Sequence, residues 1–329
     1  MRAVRISSPG APDTLQLTAV PEPTPAANEV LLRVAAVGVN RADILQRLGR
    51  YPAPAGVPAD IPGLEAAGVV EAVDGDVAEW TSGDHAMALL AGGAYAEYVA
   101  VPAAQLLPVP NGWTFEEAAA VPEAYLTAFD ALEQVGARAR EHVLVHAVAS
   151  GVGVALVHLG RARGAVVAGT SRTPAKLERM LGEGLDWPIA VSGVFSPDGE
   201  LTNWADVICD LVGGGYLPGN LLAAAPKGRI IVIGLTGGRT AELDMGLLLR
   251  KRLTLVGTTL RNRSVEEKGH LVATFRRAVL PLFEAGRIRP VVDRIFRIED
   301  AAEAHRYMES NRSVGSIVMS WDAARRGLT

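Results

Sequence analysis

The stretch His142-Val143-Leu144-Val145-His146-Ala147 reads as a buried strand. It runs into Val148-Ala149-Ser150-Gly151-Val152-Gly153 and then a helical segment to Arg163. A glycine turn in that setting lets backbone approach a pyrophosphate, which the free N–H groups and positive end of the helix then hold. Against the G-x-G-x-x-G spacing, Val148 and Ser150 occupy the first two positions, Gly151 lies beside the second, and Gly153 fills the third. This match alone does not separate a dinucleotide site from an ordinary strand-to-helix turn. The second strand decides more. In NAD-binding folds an acid about 20 residues on holds the ribose 2′-hydroxyl. Here that place is Ser171, and 165–177 contain no Asp or Glu. Thr170, Ser171, Arg172 and Lys176 stand there instead. Hydroxyls and cations suit a 2′-phosphate, so the site reads as one for NADP(H). The alternative for Arg172 and Lys176 is a solvated helix start.

Other chemistry is scarce. The six histidines contain no H-E-x-x-H pair, and no metal is expected. The single cysteine, Cys209, rules out an intrachain disulfide and a cysteine-based zinc site, and reads as a buried strand residue. Ser150 lacks the G-x-S-x-G elbow, so a hydrolytic nucleophile is not expected. Arg250-Lys251-Arg252 reads as a solvated patch.

The elements around the turn alternate. After the strand at 142–147 and the helix from Gly151 come a strand at 165–170, a helix from Thr173-Pro174, and strands at 205–210 and 229–234. That order implies a parallel sheet with right-handed crossovers. The first third differs. Strands are expected at 30–39, 68–73 and 95–101, with a loop over 52–63. Thr114-Phe115-Glu116-Glu117 has the form of a capping box, and a helix is expected from Pro122 to Leu132. A helix at 298–310 and a strand at 316–319 are expected to return to the first domain.

Bulk properties agree with an ordinary globular protein. The 329 residues are 49% hydrophobic and 21% charged, enough for two domains. A net charge of −4 and 5% aromatics disfavour a nucleic-acid partner. The N-terminus lacks a signal-peptide core and no apolar run spans a bilayer, so a cytoplasmic protein is expected.

Asn40-Arg41-Ala42-Asp43, Gly49-Arg50-Tyr51, Pro62-Gly63-Leu64-Glu65-Ala66-Ala67-Gly68, Gly83-Asp84, Pro122-Glu123-Ala124-Tyr125-Leu126-Thr127-Ala128 and Ser150-Gly151-Val152-Gly153 occur in this order. With them the whole chain resembles the zinc-independent quinone oxidoreductase (zeta-crystallin-like) branch of the medium-chain dehydrogenase/reductases. It looks closest to the tumour-suppressor-inducible quinone oxidoreductase subgroup. The resemblance implies an α/β protein: a Rossmann NADPH-binding domain at 122–262, inserted in a β-rich GroES-like catalytic domain at 1–121 and 263–329. It also implies a homodimer through an edge strand near Leu253-Thr254-Leu255-Val256-Gly257. Zinc relatives hold their metal with Cys and His where this chain has Asn40 and Leu64, and neither can supply the usual N/S ligands.

By the same resemblance Asn40, Tyr51 and Ser150 face the substrate, Tyr51 donating to a developing oxyanion. The other reading of Tyr51 is a packed loop aromatic, and of Asn40 a turn residue closing its strand. Thr127, Gly234, Leu235, Thr236, Thr259, Leu260 and Arg261 join Asn40, Ser150, Gly151, Val152, Gly153, Thr170, Ser171, Arg172 and Lys176 at the cofactor. Three departures stand out: Ser316 where the family places a lysine, Val148 at a small-residue position, and the insertion at 171–174. The activity implied is NADPH-dependent reduction of quinones. The alternatives are reduction of enones or 2-enoyl thioesters, and a non-catalytic NADPH-binding protein with a structural or RNA-associated role.

Overall fold

The computed structural model describes residues 1–321; the last eight, 322–329, assigned above to the catalytic domain, lie outside the described residues. The chain groups into two compact units, Met1–Leu126 with the segment from Leu260, and Thr127–Thr259. These junctions fall a few residues from those expected, because one continuous helix, Pro122–Gln134, runs through the first of them.

The first unit opens with β1 (Arg2–Ile6) and β2 (Leu15–Ala19), an antiparallel hairpin that sequence patterning missed. Then come β3 (Glu29–Val39), α1 (Arg41–Arg47), β4 (Glu65–Val73), β5 (His85–Leu89), β6 (Tyr98–Pro102), β7 (Leu106–Pro108), α2 (Phe115–Ala118) and α3 (Pro122–Gln134). Thr114 caps α2 through the expected box with Glu117. The core is built from the inward residues of the strands, among them Val30, Leu32, Val34, Ala66, Ala88 and Val101.

The second unit holds β8 (His142–Val145), α4 (Gly151–Ala162), β9 (Val166–Ser171), α5 (Pro174–Gly182), β10 (Trp187–Ala190), β11 (Ala205–Asp210), α6 (Leu217–Ala223), β12 (Ala224–Val232), α7 (Met245–Lys251) and β13 (Thr254–Gly257). Its six strands are all parallel, in the order β10-β9-β8-β11-β12-β13. This is the doubly wound order, and the chain reverses direction of winding between β8 and β11. Val143, Leu144 and Val145 are fully buried, as expected of a central strand covered on both faces. β13 is an edge, with Leu255 about 39% exposed.

The chain then re-enters the first unit with α8 (Val265–Ala278), α9 (Leu280–Glu284), β14 (Val292–Arg297), α10 (Ala301–Glu309) and β15 (Ser316–Ser320). β15 pairs antiparallel with β3, so the tail does rejoin the first domain. The resulting sheet runs β14-β15-β3-β4-β5-β7, with β6 also paired to β3. No helix among the described residues is long and apolar enough to cross a membrane.

Candidate active site and cofactor turn

In the Rossmann unit, Ser150 is the N-cap of α4. Its hydroxyl accepts from Gly153 N at 3.1 Å and donates to Ala147 O at 2.9 Å. That cap is worth about 1 kcal/mol and fixes the turn, with Ala147 held in the left-handed region at φ 50°. The Ser150 hydroxyl is therefore engaged within the turn on both its donor and an acceptor side. Gly153 must be glycine because a Cβ there would lie 2.4 Å from Val148 O. Val148 is fully buried and leans on Gly169 of β9, where a Cβ would meet its side chain at 2.5 Å. The bulky residue at the first glycine position thus points into the sheet, and the missing side chain across the way makes room for it.

Thr170 departs from expectation. It is 1% exposed, and its hydroxyl lies 2.9 Å from His146 Nδ1. His146 Nε2 lies 2.7 Å from Asn220 Oδ1, and Asn220 Nδ2 donates to Asp210 Oδ2 at 2.8 Å. The roles follow from the charged end. Asp210 accepts, so the Asn220 amide offers its oxygen to His146. The imidazole is then the Nε2–H tautomer, and Thr170 donates to Nδ1. Burial holds the His146 pKa below the ordinary histidine value, in keeping with this neutral form. Thr170 is a buried link rather than a cofactor contact. Asp210 Oδ1 also accepts from Val212 N and Gly213 N, each at 2.8 Å, and so shapes the loop after β11. The Gly234-Leu235-Thr236 segment packs on that loop: Thr236 Oγ1 donates to Leu211 O, while Leu235 is about half exposed.

Ser171 ends β9 and closes a short turn with Thr173. Arg172 is exposed, and among the described residues nothing pairs with its guanidinium. Gly151, Val152 and Lys176 are half-buried, and Thr259 is exposed. Thr127, on α3, has a sealed hydroxyl oxygen with no hydrogen-bond partner among the described residues. A buried hydroxyl of that kind costs about 1–3 kcal/mol unless something binds it. These groups fit a dinucleotide: a capped turn at a helix N-terminus, an unpaired cation at the end of β9, and an orphaned hydroxyl on α3.

In the first unit, Asn40 caps α1. Its N–H donates to Asp43 Oδ2 at 2.7 Å and its amide Nδ2 to Glu65 Oε1 at 2.8 Å. Glu65 Oε2 accepts from Glu123 N at 2.8 Å. Glu65 is 1% exposed, and burial pushes its carboxyl up to about 8. Asp43 accepts from Gly63 N and the Tyr95 hydroxyl; burial raises it to about 6. Tyr95 Oη also lies 3.2 Å from His305 Nε2, and Arg47 Nη1 lies 3.4 Å from His305 Nδ1. Arginine only donates, so the chain runs Arg47 to His305 to Tyr95 to Asp43. Its imidazole is neutral, its pKa lowered by burial to about 3. Glu65, Tyr95, Arg47 and His305 were missed as site supports. The Asn40–Asp43 spacing of a cap and its third helical residue was the one local signal.

Tyr51 is half-buried, with the Arg261 guanidinium 4.9 Å from its ring centroid. Arg261 itself departs from expectation. It is 3% exposed and donates to Ala91 O, Tyr51 O and Gln46 Oε1 at 2.7, 3.0 and 2.5 Å. Its guanidinium is committed to holding the Tyr51 loop. Leu260 beside it is buried as well.

Leu64 is 1% exposed core, and among the described residues no three His, Cys, Asp or Glu side chains converge to hold a metal. His142 opens β8 and His146, four residues on, begins the turn after it, so the pair does not share a helix face. His142 stacks on Trp204 while His146 is spent as above.

An alcohol dehydrogenase GroES-like domain model matches residues 26–111, and a zinc-binding dehydrogenase model matches 195–319. The quinone oxidoreductase of Lama guanicoe is 31% identical, with 97% of each chain covered. Polyketide synthase GfsB of Streptomyces halstedii is 33% identical over 96% of this chain, which spans only 6% of that protein. Among solved structures, a mycobacterial protein complexed with NADPH superposes with a TM-score of 0.85 at 27% identity, covering 97% of this chain and all of that one. CurK enoyl reductase gives 0.83 at 26%, covering 97% and 98%. The scaffold, the capped turn and these relatives together place the chain in the medium-chain dehydrogenase/reductase superfamily, as a member of its zinc-independent quinone oxidoreductase branch.

Proposed function

We propose that this oxidoreductase uses NADPH to reduce quinones. The observation that carries the cofactor choice is the end of β9, where Ser171 and an unpaired Arg172 stand and no carboxylate does. An acid there would repel a 2′-phosphate; a cation binds it. Bound NADPH supplies the hydride. The chain binds and orients. Ser150 keeps the turn closed, and the nicotinamide end would give the buried Thr127 hydroxyl the partner it lacks among the described residues. Arg261 holds the loop that carries Tyr51, whose phenol donates to the oxygen that gains charge. Glu65 spends one Asn40 N–H, so Asn40 meets ligand in a fixed orientation. A quinone needs little more, because its charge spreads over a conjugated system.

Oxidation of NADPH with small ortho- and para-quinones tests this reading. Turnover of enones or 2-enoyl thioesters with none of any quinone would replace it with the second reading. That reading draws on the polyketide synthase relative and the enoyl reductase neighbour. A homodimer through the β13 edge belongs to the same proposal; a monomer mass by light scattering would remove it.

A further inference from the structure

Tyr216 closes the short turn Gly214–Tyr216 between β11 and α6. Its ring is buried, edge-on to His146 at 4.9 Å and 6.0 Å from Phe195. His146 is also the partner of Thr170. One imidazole therefore separates the Tyr216 ring from the residue that precedes Ser171 and Arg172. The Tyr216 hydroxyl is not sealed in the core, and among the described residues it has no hydrogen-bond partner. Burial keeps the phenol's pKa above the ordinary tyrosine value; the charge of Arg172, equally without a partner among the described residues, opposes that rise and the Asp210 carboxylate adds to it. The phenol thus holds its proton at neutral pH and can donate it to an anion. Thr170 cannot take that role, since its hydroxyl proton is committed to His146.

We propose that Tyr216 is a specificity residue: its phenol O–H and the Arg172 guanidinium, beside Ser171, form one corner that binds the 2′-phosphate of NADPH. This rests on the NADPH reading given above. The anion would satisfy two polar groups that the protein leaves without partners, and a cofactor lacking the phosphate would leave them as they are. The discrimination then comes from a rigid donor on a buried ring as well as from a mobile surface cation.

Tyr216→Phe keeps the ring and removes the donor. Calorimetric titration of the full chain would compare NADPH with NADH, and 2′,5′-ADP with 5′-AMP, none of which requires turnover. The wild type is expected to prefer NADPH and 2′,5′-ADP. Tyr216→Phe should weaken both by about tenfold, the worth of one hydrogen bond to a charged group, and leave NADH and 5′-AMP unchanged. Arg172→Gln, at an exposed position that supports no other contact, should lose the same preference, and Tyr216→Phe should then add less than it does alone. Should Tyr216→Phe fail to fold, a full preference retained by Arg172→Gln would overturn the corner by itself. A wild type with no preference would overturn the NADPH reading. A wild-type preference that survives Tyr216→Phe, or a loss equal for NADH and NADPH, would overturn the role of Tyr216 alone.

Discussion

Gly38 lies in β3, one position beyond the Val37–Ala66 pair and so across from Glu65. A Cβ at 38 would stand 2.0 Å from Glu65 Oε1 and 2.5 Å from Cδ. No methyl group tolerates that, so in Gly38→Ala the carboxyl must swing away. It would then release Asn40 Nδ2 and Glu123 N, each now bonded at 2.8 Å. A buried donor left unpaired costs about 1–3 kcal/mol, so the pair costs about 2–6. Alanine recovers up to about 1 kcal/mol over glycine within a strand. The net expectation is a loss of about 1–5 kcal/mol, a sizeable share of the ~5–15 that holds a typical domain together. Urea unfolding of wild type, Gly38→Ala, Glu65→Ala and the double variant would measure it. The three atoms nearest that methyl all belong to the Glu65 side chain, so Gly38→Ala should cost much less in the Glu65→Ala background. The same cost in both backgrounds would refute the assignment of Glu65 as the group that glycine accommodates.

The raised carboxyl of Glu65 sets a pH dependence. The folded protein keeps a proton that the unfolded chain releases between 4.5 and about 8, so this contribution is complete below that window and disappears as pH rises through it. The thermal midpoint should fall across that range and fall less in Glu65→Gln; equal slopes would remove Glu65 as the cause. Thr127→Val deletes a sealed hydroxyl without a partner. It should leave the ligand-free protein as stable or about 1 kcal/mol more so, while weakening NADPH binding several-fold by calorimetry; unchanged affinity would take Thr127 out of the site. Tyr51→Phe should lower kcat and spare NADPH affinity, and an unchanged kcat would take the phenol out of the chemistry.

Local pattern was enough where local forces decide. The capping box at Thr114, the strand at 205–210 and the glycine turn into a helix at 150–153 follow from short-range rules, and all three stand in the structure. What sequence patterning missed depends on distant partners. Thr170 looked like a surface hydroxyl near a phosphate, but a histidine 24 residues away and an asparagine 74 residues from that histidine draw it inward. Arg261 looked like a cofactor cation until Gln46, Tyr51 and Ala91, far back in the chain, claimed its guanidinium. His305 and Tyr95 carry no spacing signal at all, being brought together across 210 residues. Val148 was the reverse case: a departure from the motif that the glycine across from it absorbs.

The single cysteine has a bearing on the proposed chemistry. Quinones are electrophiles, and enzymes that handle them risk arylation of their own thiolates. Cys209 is fully buried in β11, and its thiol is pushed up to about 12 by desolvation and by the neighbouring Asp210. A protonated thiol shielded from solvent does not add to an electrophile. Maleimide should therefore label this protein only as fast as it unfolds, and a substrate that consumes thiols elsewhere would leave this chain unmodified through many turnovers.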